Sequence, residues 1–322
     1  MRDHIIIRPF EPSESEYEAI ARIGNEIFPE YLYSASQIRF EDEAFDTKKY
    51  AFARHVALDA RRGEILGYAE YNHIPMAFHP QKFWIWIAVS LAAQKQGIGS
   101  ALYEHILGEL RSRGASTLKT QARETMMPTL RFLQQRGYVE DMRSWESRLY
   151  LKNFDWRKFD PETECANTIE ISTLAQEKLD DPNWLDKAYR LHTACMADVP
   201  STDAYTKPSL DFYVRRQIEN PDALLDGYFI AKEGTNWIGE SFLRKNPEQP
   251  KVLYQGLTGV LREHRRKGVA MALKLKTISY AQEHGYDVIK TWNATVNEGM
   301  LGINVKLGFV RQPAWINFVK NL

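Results

Sequence analysis

The run Val260-Leu261-Arg262-Glu263-His264-Arg265-Arg266-Lys267-Gly268-Val269-Ala270 joins an apolar strand end to a basic turn and then to small residues that open a helix. That order suits a pyrophosphate. A helix N-terminus leaves its first N–H groups without partners and carries positive partial charge, so an anion docked there satisfies both. Gly268 lets the backbone approach, Ala270 leaves the first turn unobstructed, and Arg265, Arg266 and Lys267 add charge that reaches phosphates. Taken alone, the same run also describes a solvated basic turn ahead of an ordinary helix.

The chain carries the frame twice. In Val89-Ser90-Leu91-Ala92-Ala93-Gln94-Lys95-Gln96-Gly97-Ile98-Gly99, Val89 matches Val260, Gln94 matches Arg265, Gly97 matches Gly268 and Gly99 matches Ala270. The offset of 171 residues, from 94 to 265, also carries Leu102 to Leu273, Gly114 to Gly285, Gly137 to Gly308 and Tyr138 to Phe309. A register held over that length marks a duplicated unit. A dinucleotide fingerprint through Gly97-Ile98-Gly99 is a weaker reading, because Leu102 stands where the third glycine belongs.

Both copies resemble the phosphate-binding segment of the GNAT superfamily of N-acetyltransferases: Val, four residues, Arg or Gln, two residues, Gly, one residue, Gly or Ala. The later run 291–309, with Asn297 opening a helix and Leu307-Gly308-Phe309 closing it, is similar to the C-terminal part of that family. The whole chain resembles tandem GNAT proteins, a group that includes mycothiol synthase. The resemblance implies an α/β (α+β) fold of two tandem GNAT domains, each a mixed central sheet flanked by helices. It further implies acetyl transfer from acetyl-CoA to a primary amine of a small molecule by direct attack. Thr258, Gly259, Val260, Arg265, Arg266, Lys267, Gly268, Val269, Ala270, Asn297 and Asn304 would then contact coenzyme A. Val89, Gln94, Lys95, Gln96, Gly97, Ile98 and Gly99 would form a second, weaker cofactor site. A reading from another class is a non-catalytic coenzyme A or acyl-CoA sensor.

Direct transfer requires a held pyrophosphate, a thioester beside the nucleophile, a route for the ammonium proton and a donor for the leaving thiolate. In the family the pantetheine arm slots between two splayed strands, here 251–260 and 288–292, and N–H groups near 257–260 would polarise the thioester carbonyl. The strand 251–258 holds no carboxylate, so Glu240 on the preceding strand and Asp198 after an early helix are the candidate bases. Each is equally a solvated acid or half of a structural ion pair. Many relatives place Tyr three residues before the Leu of Leu-Gly-Phe. Here that residue is Asn304, in the first copy it is Leu133, and Tyr254 becomes the candidate substitute. Asn297 also reads as a plain N-cap. The first copy has Gln94 for Arg265 and Met126 for Asn297, which makes it the degenerate half and the second half the catalyst. Cys195, a lone cysteine on a helix, reads as a small buried hydrophobe.

The elements that must position these residues follow in order. Strand 5–8, helices 14–27 and 34–45, and a hairpin 50–71 about Arg61-Arg62-Gly63-Glu64 precede the aromatic and β-branched strand 83–89. The helix after the first cradle aligns Ile98, Leu102, Ile106 and Leu110 on one face. Strand 117–121, helix 129–136 and strand 145–151 close the first half. The second half repeats the order with strand 169–172, helices 184–197 and 209–218, a hairpin at 233–235, strand 251–260, the cradle and its helix, strand 288–292, helix 297–306 and strand 314–319. The domains are expected at 1–152 and 168–322, joined by a Pro-containing linker at 153–167.

With 322 residues the chain can bury two cores. Lys plus Arg and Asp plus Glu number 42 each, so no bulk charge points to nucleic acid or an anionic membrane. Two cysteines, Cys165 and Cys195, are too few for a disulfide framework, and no ligand cluster suggests a metal. The apolar run at Ile5-Ile6-Ile7 is too short for a signal peptide, and no stretch approaches about 18 apolar residues. The expectation is a cytoplasmic monomer with a pseudo-dimeric tandem arrangement, acting on a small-molecule amine.

Overall fold

The computed structural model describes residues 4–159 and 169–322, so most of the expected linker's second half, with Cys165, lies outside the described residues. By internal contacts the chain forms two units, Met1–Met142 with Trp315–Leu322, and Arg143–Ala314.

The first unit contains β1 (Ile5–Pro9), α1 (Glu14–Ile27), α2 (Ala35–Ala44), β2 (Phe52–Asp59), β3 (Glu64–Asn72), β4 (Lys82–Val89), α3 (Ile98–Ser112), β5 (Thr117–Arg123) and α4 (Met127–Gln134). Its sheet runs β1-β2-β3-β4-β5 and is antiparallel except for the parallel β4–β5 step. Side chains alternate across a strand. On one face Ala57, Ala69 and Phe83 pack with the buried α3 stripe Ile98, Leu102, Ile106 and Leu110; on the other, Val56 and Tyr68 pack with Tyr17, Ile20 and Ile23 of α1. Ser13 and Ser34 cap α1 and α2 through their side chains.

The second unit takes in most of β6 (Val139–Tyr150), then β7 (Ile169–Thr173), α5 (Leu174–Asp180), α6 (Trp184–Met196), α7 (Leu210–Tyr213), β8 (Ala223–Glu233), β9 (Asn236–Lys245), β10 (Val252–Val260), α8 (Val269–Glu283), β11 (Val288–Ala294), α9 (Glu298–Lys306) and β12 (Val310–Arg311). The sheet order is β6-β11-β10-β9-β8-β7, again with one parallel step, β10–β11, and β12 pairs with β6. α8 fills one face with Leu273, Ile278 and Ala281, and α6 covers the other with Leu191 and Cys195. The expected helix at 209–218 divides into α7 and one π-helical turn, Val214–Ile218.

One arrangement departs from the sequence reading. The strand read as the last of the first half, β6, pairs antiparallel with β11, Ser147 opposite Thr291. The final strand, β13 (Trp315–Asn321), pairs antiparallel with β5, Phe318 opposite Thr120. Each sequence half therefore completes the sheet of the other, and the division falls near residue 142 instead of 152, with 315–322 joining the first unit. Both β5 and β11 need an antiparallel neighbour to cover an open edge, and nothing local to a strand says which copy supplies it.

Candidate active site

In the second unit, β10 delivers the chain into the basic turn, where two residues take left-handed backbone angles: Arg266 at φ 62° and Gly268 at φ 80°. Gly268 is the N-cap of α8 and tolerates that angle without the Cβ clash other residues meet. No side chain caps α8, as none caps α3, α4 or α6, whereas Ser13, Ser34, Thr173, Ser209 and Asn297 cap α1, α2, α5, α7 and α9. The first N–H groups of a 15-residue helix are thus left for a ligand. Arg265 secures the turn from below, its Nε donating to the Val260 carbonyl at 2.9 Å.

Beyond the cradle the sheet opens. β10 and β11 pair only at Val252–Val288, Leu253–Ile289 and Tyr254–Lys290, although both strands continue. A one-residue bulge in β10 between Gln255 and Thr258, set against Leu243 and Ser241 of β9, re-aims the diverging segment. It is held by Gln255 Nε2 donating to the Phe242 carbonyl at 2.9 Å and by Thr277 Oγ1 donating to Gln255 Oε1 at 3.0 Å. The gap and the cradle share one cleft of about 770 Å³. Of the residues expected to contact coenzyme A, Thr258, Gly259, Val260, Arg265, Arg266, Gly268, Val269, Ala270 and Asn297 line this cleft; Lys267 and Asn304 are not on its wall. Asn297 Oδ1 is used as the N-cap of α9, accepting from the Met300 N–H at 3.3 Å. A mixed trough, basic at the turn and largely apolar elsewhere, ending in an uncapped helix, fits a pyrophosphate-bearing group with an extended arm.

The acid–base candidates sit less simply. Asp198 lines the cleft, but both its oxygens accept from Arg262 Nε, at 2.9 and 3.0 Å, and Arg265 also donates to it. These guanidinium contacts, Arg262 first, hold its carboxyl below the usual carboxylate range, which makes it a weak proton acceptor. Glu240 is wholly buried on β9, 3.1 Å from His192 Nδ1 and accepting from the Tyr228 hydroxyl. Burial first, and the Glu240 charge second, push the Tyr228 phenol well up. Neither Glu240 nor Tyr254 lines the cleft. The Tyr254 hydroxyl donates to Gln249 Oε1 at 3.0 Å and accepts from Asn246 Nδ2 at 3.1 Å, with its ring edge on Trp292.

Cys195 is buried against Gly259, where an added Cβ would stand 2.5 Å from the cysteine Cβ. Burial pushes its thiol up, so it stays neutral and packs as the sequence suggests. The residue the sequence reading missed is Lys274, buried on α8 yet on the cleft wall. A lysine within the apolar stripe Leu273, Ile278 and Ala281 was the available signal.

The first unit repeats the cradle. Lys95 and Gly97 take φ 60° and 84°, α3 starts at Gly97 without a side-chain cap, and Gln94 Nε2 donates to the Val89 carbonyl at 3.1 Å, the counterpart of the Arg265–Val260 bond. β4 and β5 likewise part after three paired positions. Their cleft is smaller, about 330 Å³, and is walled by Phe28, Trp86 and Phe132. Val89, Gln94, Lys95, Gly97 and Gly99 line it; Gln96 and Ile98 do not, and Ile98 belongs to the core.

Two cradles, each beside a sheet that splays at its parallel step, define the class. The sequence profile of the acetyltransferase (GNAT) family matches residues 17–138 and 185–309, and the chain belongs to that family. Among solved structures, it is similar over its whole length to a GCN5-related N-acetyltransferase from Sphaerobacter thermophilus, with TM-score 0.72, 16% identity and 96% of that chain covered. It is also similar to a tandem GNAT protein from the clavulanic acid biosynthesis pathway, with TM-score 0.74, 18% identity and 98% of each chain covered. A glucosamine N-acetyltransferase region of a fungal multi-domain beta-N-acetylglucosaminidase matches 98% of this chain and 38% of that one, with TM-score 0.70 and 13% identity. No curated protein matches. The fold is thus a tandem-domain GNAT fold, mixed α/β with helices on both faces of each sheet. No described helix is long and apolar enough to cross a membrane.

Proposed function

We propose that the second unit transfers an acetyl group from acetyl-CoA to the primary amine of a small molecule in the cytoplasm, by direct attack. The observation that carries this reading is the uncapped, left-handed cradle at Gly268 opening straight into the gap between β10 and β11. The first N–H groups of α8, with Arg265 and Arg266, would hold the pyrophosphate, and the gap would take the pantetheine arm. N–H groups along the bulged segment Gly256 to Val260 would face the thioester carbonyl, where negative charge develops. Acetyl-CoA supplies the activated acyl group; the chain supplies position, polarisation and proton routes.

Asp198 is the only carboxylate on the described cleft wall and is committed to two arginines, so the acceptor ammonium loses its proton to water in this reading. The first unit, with Gln94 for Arg265 and an aromatic-walled cleft, acts as structure or as a weaker coenzyme A site. Calorimetric titration with acetyl-CoA, followed by a thiol-release screen across small amines, tests the proposal. Binding at one site with amine-dependent thiol release is expected. No binding refutes the assignment, and binding with no release for any amine would turn the reading to a coenzyme A sensor.

A further inference from the structure

Lys274 is 1% exposed, and its Nζ donates to Asn304 Oδ1 at 2.7 Å; Asn304 Nδ2 in turn donates to Asn293 Oδ1 at 2.7 Å. The ammonium also lies 4.7 Å over the Phe309 ring. A buried lysine held by a neutral amide and a ring face is expensive to keep. Its location is informative. Lys274 lines the cleft with Thr291, Trp292 and Asn293, just past the last β10–β11 pair. The internal repeat matches Lys274 to Tyr103, which lines the first cleft, so the same helical position carries a proton-bearing group in both units.

We infer that Lys274, positioned by Asn304, donates the proton to the leaving thiolate, an assignment that rests on the second unit being the acetyltransferase. The amine nitrogen bonds to the thioester carbon as the carbon–sulfur bond breaks, and that electron pair goes to sulfur. Sulfur takes a proton from the Lys274 ammonium and leaves as coenzyme A thiol. The acceptor nitrogen gives up two protons in passing from ammonium to amide; one restores Lys274 and the other goes to solvent. Burial brings Lys274 down to about 7, so near neutrality it both holds and releases a proton.

The test needs no acceptor. Coenzyme A is bound to the full chain and its thiol titrated by ultraviolet thiolate absorbance, alongside Lys274→Met and Lys274→Arg. The expected result is a thiolate that forms at least about one pH unit below that of free coenzyme A, because the forming anion draws a proton back onto Lys274 and the two groups titrate as a coupled pair. The shift disappears in Lys274→Met and persists in Lys274→Arg, each read on folded protein saturated with coenzyme A. A wild-type bound thiol that titrates like the free one overturns the assignment without any variant, as does a shift that survives in Lys274→Met. Failure to bind coenzyme A at all would instead refute the cradle reading.

A separate cluster in the first unit carries a second inference. His55 on β2 and His105 and Glu109, one turn apart on α3, place one ligand atom each within 4.8 Å of one another. Glu109 Oε1 is 3.1 Å from His55 Nε2 and 3.5 Å from His105 Nε2. Ligands on a tetrahedral zinc with bonds near 2.0–2.1 Å stand about 3.3 Å apart, so this spacing suits a single ion. Tyr71 donates to the other carboxylate oxygen, Oε2, at 2.9 Å and so fixes which oxygen faces the histidines. The buried His105 Nε2 has no hydrogen-bond partner.

The geometry points to a three-ligand site for zinc, with water as the fourth ligand, tying β2 to α3. Cobalt(II) is the probe: the full chain, stripped with chelator, should bind one equivalent with a visible absorption of tetrahedral strength, displaced by zinc. His105→Ala and Glu109→Gln should each weaken binding by about tenfold or more, the scale of losing a ligand group, with folding checked by circular dichroism. No visible band in the wild type, or binding in both variants as tight as in the wild type, overturns the site and shows a hydrogen-bonded His–Glu cluster only.

Discussion

Lys274 Nζ meets Asn304 Oδ1 at 2.7 Å in a position closed to bulk water, so the protein keeps a cation where apolar packing would be cheaper. Burial lowers Lys274 from 10.5 to about 7, and the sign of its linkage follows. Between those values the unfolded chain binds the proton more tightly, so stability rises with pH across that window and the burden is full below it. Lys274→Met should therefore be more stable relative to wild type at pH 6 than at pH 10. Denaturant melts of both proteins across that range check this; a stability difference that does not change with pH would mean Lys274 titrates normally.

The cradle divides its cations. Arg265 binds the Val260 carbonyl and lines the cleft, while Lys267 is absent from the wall. Arg265→Ala should weaken acetyl-CoA binding by about 1–3 kcal/mol, the range of charge-assisted hydrogen bonds. Lys267→Ala should cost far less. Calorimetry on folded variants decides, and equal losses would show that diffuse charge, not the Arg265 geometry, holds the ligand.

What the sequence makes legible here is what backbone physics dictates locally. Gly97 and Gly268 are required by positive φ at two uncapped helix starts, and the α3 stripe from Ile98 to Leu110 is a period any reader can count. Pairing partners are another matter. Val139–Tyr150 and Trp315–Asn321 are each recognisable as strands, but their exchange between sheets depends on edges formed by residues far away in the chain. The short helix Leu174–Asp180 went unread because seven residues scarcely establish a period. Asp198 and Glu240 could be nominated as acids, yet their partners Arg262, Arg265, His192 and Tyr228 become visible only in three dimensions.

The two cradles provide their own control. Gly97 and Gly268 share nearly the same backbone angle, φ 84° and 80°, so aspartate imposes the same local strain at either. Gly268→Asp should weaken acetyl-CoA binding by about tenfold or more, since it sets a carboxylate against the phosphates, whereas Gly97→Asp should leave the affinity of the functional site within about twofold. Titrations of both variants after matched thermal melts make the comparison. Equal losses would show that the first unit binds acetyl-CoA as well as the second.

Glu240 is the sharpest case, because its chemistry and its surroundings point in different directions. A carboxylate on the strand beside the bulge is well placed in sequence to accept a proton, but its two oxygens are taken by His192 and Tyr228 and its side chain is wholly buried. A base must reach its proton directly or through one water. Glu240→Gln keeps the shape and one acceptor for the Tyr228 hydroxyl but sets an amide against His192, and should cost about 1–3 kcal/mol of stability, the penalty for a buried polar mismatch. Acetyl-CoA affinity and the pH profile of thiol release should stay close to wild type. Melting, calorimetry and a pH series on one preparation separate the outcomes. A roughly hundredfold loss of maximal rate in a folded Glu240→Gln protein, with its pH limb gone, is the signature of general base catalysis and would restore Glu240 as the base.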